Sequence, residues 1–294
     1  MMQTYQKGVS RLAQVELTKA EIIQEARDLG VEFVGFASID RWIESGDVPV
    51  AFHPHKMWPQ AKTVIVLGVP LWLPIIEASP TVLGREQAKV TNELLEKVAY
   101  RLAVFLNRKG HLAVIPDSEV EDELEEKPIA AFSHIWAGYY AGLGSLGWNH
   151  TLLTREYGPR VQLMSIFTAL ELAGDPLVEG DLCNKCLYCQ KICPAQALIG
   201  DEKLKYAQVD QAACINNEKI LQKAFSDPCG SCLKVCPVGE DRQLFQSNSF
   251  VKYFEEQDIL ARNPQAEAYR DWVHIRNYGS YPLEGALKKK EDKG

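Results

Sequence analysis

Eight cysteines crowded into one short stretch constrain this chain more than any other feature of its sequence. All of them lie between Cys183 and Cys236, although the chain has 294 residues. Disulfides that hold together a chain of this length would be spread along it, so the crowding favours reduced thiols that bind metal. We therefore expect a reducing compartment, the cytoplasm. The sequence shows neither an apolar export segment nor a run of about eighteen apolar residues, so we expect no membrane association.

The spacing of these cysteines predicts a bacterial-type ferredoxin module with two 4Fe-4S clusters. The first set is Cys183-x2-Cys186-x2-Cys189-x3-Cys193-Pro194. In such a run three thiolates bind one cubane and the fourth reaches across to the other. The second set repeats the pattern with its first member displaced upstream, at Cys214, Cys229, Cys232 and Cys236.

Crossed ligation completes two sets of four ligands. One cluster is predicted to bind Cys183, Cys186, Cys189 and Cys236, and the other Cys193, Cys214, Cys229 and Cys232. A pair of all-cysteine zinc sites is the alternative, but such sites use two separated C-x2-C pairs. The pattern therefore indicates electron transfer, or a reduction that electron transfer drives.

The residues before the cysteines show the patterns of an α+β unit. Thr18 and Glu21 form a capping box that opens a helix, and Gly30 ends it. Further apolar patterns predict strands at residues 32–37, 63–70, 112–115 and 161–170, and helices at residues 85–109 and 128–141. We predict an α+β domain at residues 1–172, the ferredoxin-like module at 173–245, and a helical tail at 246–294. The aromatic residues of the tail lead us to expect that it packs back onto the body.

A glycine-rich turn follows the last of these helices. Gly142, Gly144 and Gly147 match G-x-G-x-x-G, which in dinucleotide-binding folds stands between a strand and a helix. Here the glycines follow a helical pattern instead, so we do not expect a dinucleotide site. Two interpretations stay open: a turn whose backbone lies close to a large flat ligand, or a helix end followed by a tight turn.

The order of these motifs resembles the superfamily of epoxyqueuosine reductases and corrinoid-dependent reductive dehalogenases. The resemblance rests on AGLGSLGWN at residues 141–149, LLTREYGPR at 152–160 and the cysteine module, and it covers about residues 18–240. It implies a nitroreductase-like N-terminal domain that binds cobalamin and receives electrons from the two clusters. The cofactor-binding residues that it implies are Gly142, Leu143, Gly144, Ser145, Gly147, Trp148 and Asn149.

The resemblance also sets expectations for cofactor and donor. The sequence contains no Asp-x-His-x-x-Gly motif, which supplies a lower histidine ligand in other corrinoid proteins, so we expect base-off cobalamin. FMN is the less favoured alternative that a nitroreductase-like core allows, and a non-catalytic electron carrier or reductive activator is another. A low-potential donor of the ferredoxin or flavodoxin type should supply the electrons.

The substrate is less constrained, because the motifs divide between the two branches. LLTREYGPR is more similar to the dehalogenases, whereas the length and the absence of an export signal are more similar to the cytoplasmic reductases. Trp148 stands where epoxyqueuosine reductases usually have lysine, and we expect no helical-repeat domain for tRNA after the module. The net charge of -7 gives no sign of a basic surface that would bind nucleic acid. We expect a small organic or modified-nucleoside substrate and disfavour tRNA.

A reductive elimination consumes protons, so an acid should lie near the cofactor. The candidate proton donors are Asp117, His134, Tyr139, Tyr140 and Tyr157, and Arg160 is the candidate for stabilising an anion. Packing is the alternative role for the histidine and the tyrosines, since they lie on or beside helices that carry apolar residues.

Overall fold

A four-stranded antiparallel sheet organises the N-terminal part of the computed structural model, which describes residues 16–116, 132–223, 225–263 and 266. The strands are β1 (Phe33–Ser38), β2 (Thr63–Pro70), β3 (Ala113–Val114), β4 (Ser145–Leu146), β5 (Leu152–Leu153), β6 (Val161–Thr168), β7 (Leu198–Ile199) and β8 (Gln208–Val209). The sheet has the order β1-β2-β6-β3, while β4 pairs with β5 and β7 with β8.

Short and long helices surround these strands. In chain order they are α1 (Lys19–Asp28), α2 (Asp40–Ser45), α3 (Pro54–Met57), α4 (Leu73–Glu77), α5 (Val82–Arg108), α6 (His134–Tyr140), α7 (Tyr188–Ile192), α8 (Gln211–Lys223), α9 (Ser231–Lys234), α10 (Asp241–Leu244) and α11 (Val251–Arg262). A 3-10 helix spans Val50–Phe52. The prediction of a mixed helix and strand fold is confirmed, whereas the nitroreductase-like detail and the domain boundaries stay predictions.

The sheet is covered on both faces, which explains the unbroken apolar run of β2. Ile65 and Leu67 point into a core formed with α1 and α5. Their neighbours Val64 and Val66 point into a second core formed with α2 and α6. Each of these side chains is fully buried, and burial of such a side chain stabilises the fold by roughly 1.5–3 kcal/mol.

Local signals account for most element bounds. The capping box at Thr18 is present, with the side chain accepting from the backbone N–H of Glu21 and the Glu21 carboxylate accepting in return. The helix predicted at 85–109 begins earlier, at Val82, because Thr81 caps it. The helix predicted at 128–141 begins at His134 in the described residues, with Ser133 as its cap.

Parts of several predictions lie outside the described residues. They concern Asp117, residues 128–131 of the predicted helix, and the tail aromatics Trp272, His274, Tyr278 and Tyr281. The described part of the tail, α11, contacts α4: Lys252 Nζ donates to the Glu77 carboxylate over 2.7 Å. Within the described parts of the chain, no helix combines the length and apolarity that a membrane crossing requires.

Candidate functional site

The eight cysteines form two groups in space. Cys183, Cys186, Cys189 and Cys236 line one small cavity. Burial, followed by the charges of Cys229, Glu218 and Cys193, raises the pKa of the Cys214 thiol. Burial, followed by the charges of Cys229, Cys189, Cys214 and Cys193, raises the pKa of Cys232. The remaining four cysteines therefore lie near one another, and Cys232 also lies near Cys189 of the first group. These are the two quartets that crossed ligation predicts, although the assignment of each thiol to an iron stays a prediction. Within the described residues, no three His, Cys, Asp or Glu side chains form a site for a single metal ion.

The first quartet has features that suit an iron–sulfur cluster. The backbone N–H of Trp148 donates to Cys183 Sγ over 3.4 Å, and hydrogen bonds to sulfur are among the factors that tune such clusters. Burial, followed by the charges of Cys236 and Cys186, raises the pKa of Cys189 to about 12. Thiols held this close together would ionise only in the presence of compensating positive charge, which the iron of a cluster supplies. The residues present therefore fit the group.

The glycine turn joins α6 to the hairpin of β4 and β5. Gly142 has a φ of +69°, and a Cβ added there would lie 2.1 Å from the carbonyl oxygen of Pro176. A Cβ added to Gly144 would lie 2.1 Å from the carbonyl oxygen of Leu153. At both glycines, the group that lies too close for a side chain is therefore a carbonyl of the chain's own backbone. A helix precedes the turn and a hairpin follows it, so the strand-turn-helix context of a dinucleotide site is absent here.

The other predicted cofactor residues in this segment face the module or the core. Trp148 is buried against the first cysteine quartet, and Asn149 lines the cavity of that quartet. Ser145 Oγ accepts from the backbone N–H of Leu182 over 2.9 Å. Leu143 packs against the core beside α6. The predicted segment therefore joins the cluster module to the sheet.

A larger cavity of about 590 Å³ lies on the other side of the same hairpin. We call it the aromatic cavity, because its walls include Trp42, Phe52, His134, Trp136, His150 and Tyr206. Leu146 and His150 also line this cavity, whereas Trp148 and Asn149 line the cavity of the first cysteine quartet. Residues 146–150 therefore border both cavities and form a partition between them.

His134 is the predicted catalytic residue that the structure places in the aromatic cavity. Its Nδ1 lies 2.9 Å from Ser165 Oγ, on β6. Its Nε2 is buried and has no hydrogen-bond partner among the described residues. Burial lowers the pKa of the imidazole to about 4, so the ring is neutral near pH 7. An unpartnered buried nitrogen in a cavity is a ready contact for a polar ligand atom.

Sequence reasoning missed His150 and Tyr206 in the wall of the aromatic cavity. His150 follows the predicted cofactor segment directly, and its Nε2 lies 2.7 Å from the carbonyl oxygen of Ala207. Tyr206 lies between the two cysteine sets, with its ring 5.5 Å from that of His150 and 6.1 Å from that of Trp136. Burial raises the pKa of the Tyr206 hydroxyl. No motif marks Tyr206, because only the fold brings it to the cavity.

The predicted tyrosines lie outside the wall of this cavity. The Tyr157 hydroxyl donates to the Glu32 carboxylate over 2.8 Å, and its ring packs against Phe33. Burial, followed by the hydrogen bond to Glu32, raises the pKa of Tyr157 to about 12. Tyr139 packs against Trp136 and Tyr140. Tyr140 is buried in the core beside Trp42.

Arg160 has partners other than the substrate anion that we expected. Its guanidinium is fully buried and donates to both carboxylate oxygens of Asp241, over 2.6 and 2.7 Å. The remaining donors reach the carbonyl oxygens of Leu233, Cys236 and Val238. Since a guanidinium has five N–H groups, this set uses all of them. Arg160 thus fastens the cysteine module to the start of β6.

Comparison with protein families identifies the module. Residues 182–240 match the family described as a 4Fe-4S dicluster domain. This agrees with the cluster type that the cysteine spacing predicts. The match covers the eight cysteines and includes Tyr206 of the aromatic cavity, but it does not extend to the sheet.

Relatives come from two groups of reductases. The tetrachloroethene reductive dehalogenase of Desulfitobacterium hafniense is 29% identical over 191 residues, which cover 60% of this chain and 32% of the relative. The chain thus spans about a third of that dehalogenase. The epoxyqueuosine reductase of Gloeobacter violaceus is 26% identical over 294 residues, covering 86% of this chain and 85% of the relative.

Solved structures of both groups share the fold. A reductive dehalogenase has a TM-score of 0.59 and 20% identity, covering 93% of this chain and 40% of the dehalogenase. An epoxyqueuosine reductase from Bacillus subtilis has a TM-score of 0.52 and 17% identity, covering 94% and 95%. The chain therefore carries a 4Fe-4S dicluster domain, and its homologues are epoxyqueuosine reductases and reductive dehalogenases.

Proposed function

We propose that this protein is a cobalamin-dependent iron–sulfur reductase. Electrons would pass from the two 4Fe-4S clusters to a base-off corrinoid in the aromatic cavity and from there to a substrate. The observation that carries the proposal is the partition of residues 146–150, which has the first cysteine quartet on one side and the aromatic cavity on the other. One structural relative is a reductive dehalogenase described as carrying out B12-dependent dehalogenation, which supports the choice of corrinoid.

The residues of the aromatic cavity fit a large, flat and mostly apolar cofactor. Its volume lies within the range of about 300–1,000 Å³ that is common for cofactor and ligand sites. Trp42, Trp136 and Tyr206 offer ring faces and edges, and the buried Nε2 of His134 offers one polar contact. These four residues would hold the corrin and exclude water from it.

The chain's own residues would also manage protons. When bound, the corrinoid supplies a metal centre that low-potential clusters can reduce and that can pass electrons to substrate. His134 is neutral and is held by Ser165, so it can orient a ligand and relay a proton rather than act as a strong acid. Tyr206 keeps its proton near pH 7, because burial raises its pKa. Asp117 stays the proposed general acid.

We propose a small organic or modified-nucleoside substrate and a ferredoxin or flavodoxin as donor, in the cytoplasm. One structural relative is described as an epoxyqueuosine reductase with a tRNA stem loop, at 23% identity and a TM-score of 0.51. A tRNA substrate is therefore the alternative to test. The negative net charge of the chain favours the smaller substrate.

Cofactor analysis after anaerobic reconstitution tests the proposed function. Bound corrinoid with the EPR spectrum of base-off Co(II) supports it. Bound FMN would instead support a flavin-dependent reductase, and the absence of both would support an electron carrier. The Trp136→Ala variant should weaken corrinoid binding roughly tenfold or more, equal to about 1.4 kcal/mol, because it removes a wall of the cavity. Trp72→Ala, at an exposed tryptophan outside this cavity, is the matched control and should bind corrinoid normally.

Turnover assays then separate the substrates. The corrinoid-loaded protein is supplied with a chemical reductant and either epoxyqueuosine-containing tRNA or small organohalides. Conversion of the tRNA alone would contradict the small-substrate proposal. Conversion of an organohalide would support it and would also explain the similarity of residues 152–160 to the dehalogenases.

A further inference from the structure

Two buried arginines flank one of the cysteine ligands. Arg160 is 0% exposed and Arg242 is 2% exposed. The carbonyl oxygen of Cys236 accepts from both of them, over 3.4 Å from Arg160 Nη1 and 2.7 Å from Arg242 Nε. Cys236 belongs to the first quartet, which lies against Trp148 and the partition to the aromatic cavity.

The two guanidinium charges are compensated differently. Arg160 forms an ion pair with Asp241, whose side chain is only 1% exposed. The other hydrogen bonds of Arg242 in the described part of the chain go to neutral groups, namely the carbonyl oxygens of Lys234 and Ser247 and the Tyr253 hydroxyl. Its guanidinium also lies 4.9 Å from the centre of the Phe250 ring. The same Tyr253 hydroxyl donates to the Glu77 carboxylate, which is paired with Lys252 and makes no direct contact with Arg242 in the described residues. Arg242 therefore keeps a positive charge beside the first quartet.

An acidic side chain contacts the backbone of the second quartet. The backbone N–H of Cys229 donates to both oxygens of Glu218, over 3.1 and 3.2 Å. Glu218 is also close enough to Cys214 for its charge to act on that thiol. The groups that contact the cysteine backbone are thus cationic at one quartet and acidic at the other.

This asymmetry has a consequence for electron affinity. Reduction of a 4Fe-4S cluster by one electron makes its total charge more negative by one. A nearby buried cation stabilises the reduced state, and the interaction is stronger in a low-dielectric interior than in water. An arginine is always protonated, so its contribution does not depend on a titration near neutral pH.

We propose that Arg242, assisted by Arg160, makes the Cys183, Cys186, Cys189 and Cys236 cluster the higher-potential cluster of the pair. One electron then passes from the reduced second cluster to the oxidised first cluster, which returns the second to its oxidised state. An electron that a donor delivers to the second cluster, where Cys214 is exposed, then comes to rest on the first cluster beside Trp148. The inference needs only the two clusters and does not rest on the proposed corrinoid or substrate.

Potentiometric titration followed by EPR tests this assignment in the anaerobically reconstituted full chain. The protein should show two one-electron potentials. Arg242→Gln should lower the higher potential by about 59 mV, which corresponds to a tenfold change in the equilibrium constant for a one-electron couple. The lower potential should change less. Arg101→Gln, which removes an exposed charge on α5, is the matched control and should change neither.

The outcomes decide the assignment. Arg242→Lys retains the positive charge and should keep the higher potential close to that of the unaltered protein. An unchanged higher potential in Arg242→Gln with full iron and sulfide content overturns the proposal, and so does a larger shift of the lower potential. If Arg242→Gln holds no clusters, Asp241→Asn decides, because loss of the charge that compensates Arg160 should raise the higher potential. A value that stays constant or falls would then overturn it.

Discussion

The sheet and the cysteine module are stabilised in different ways. The sheet lies between two large apolar cores, and every residue of β2 except its last is buried. The buried apolar residues assigned to the module form small groups around Trp148 and around Tyr253. Most of its cysteines are only partly buried. The sheet can therefore derive its stability from apolar burial, whereas the module depends on its clusters and on buried polar contacts.

Polar contacts also fix the module to the sheet. The Arg160–Asp241 pair is the most buried of these contacts. Two backbone bonds run beside it, from the N–H of Glu240 to the Arg155 carbonyl and from the N–H of Asp241 to the Glu156 carbonyl. These contacts hold the module at a fixed position relative to the sheet and the aromatic cavity.

Removal of the clusters should produce the largest difference in stability between the sheet and the module. We expect a chelator under reducing conditions to unfold much of residues 182–240, because ligation energy there replaces an apolar core. The amides of β2 and β6 should stay protected. Hydrogen exchange with mass spectrometry measures both regions in one sample, and equal loss of protection in the two would contradict the distinction.

Loss of the buried carboxylate at the junction should have the next largest effect. Asp241→Ala leaves the Arg160 charge buried and unpaired, so we expect a loss of about 3–5 kcal/mol in the free energy of unfolding. Asp47→Ala breaks an exposed pair with Lys205 and should cost no more than about 1 kcal/mol. Denaturant titration measures both variants. Similar losses would show that the junction contributes no more than an exposed ion pair.

His134 should give the sheet region a pH dependence of its own. The pKa of His134 is about 4 in the folded protein, against 6.5 for an unperturbed histidine such as that of the unfolded chain. Between these pH values the unfolded chain therefore binds more protons than the folded one. The contribution of His134 to the free energy of unfolding is therefore fully present above about pH 6.5. It is lost as the pH falls toward 4, by roughly 3 kcal/mol over the whole range. His134→Gln does not titrate and should lack this decline. Urea unfolding at several pH values measures it in both proteins, and parallel curves would exclude His134 as the cause.

The sequence predicted features that local chemistry determines. β2 was predicted at its observed bounds, because a strand buried on both faces requires an unbroken apolar run. The capping box of α1 needs only Thr18 and Glu21. The cysteine spacing identified the dicluster domain, since the shape of a cubane sets the intervals between its ligands.

Features that depend on distant segments could not be predicted in this way. The aromatic cavity combines Trp42, Trp136 and Tyr206, which no pattern in the sequence connects. Arg160 shows the same limit, because its role follows from Asp241 and from three carbonyl groups of the module. A sequence shows that a residue can donate hydrogen bonds, but the fold determines which groups accept them.

Removal of a helix N-cap should have the smallest effect on stability, and it tests whether local interactions differ between the sheet region and the module. Thr18 caps α1 beside the sheet, where its Oγ1 accepts from the N–H of Glu21 over 3.3 Å. Asp210 caps α8 in the module, where its carboxylate accepts from the N–H of Ala213 over 2.9 Å. Each cap accepts from the third residue of its helix, so Thr18→Ala and Asp210→Ala should each destabilise the local helix by about 1 kcal/mol. Hydrogen exchange of α1 and α8 measures the two losses. A much larger loss in α8 would mean that the module is weaker in its local interactions as well, and the contrast with the sheet could no longer be assigned to clusters and buried contacts alone.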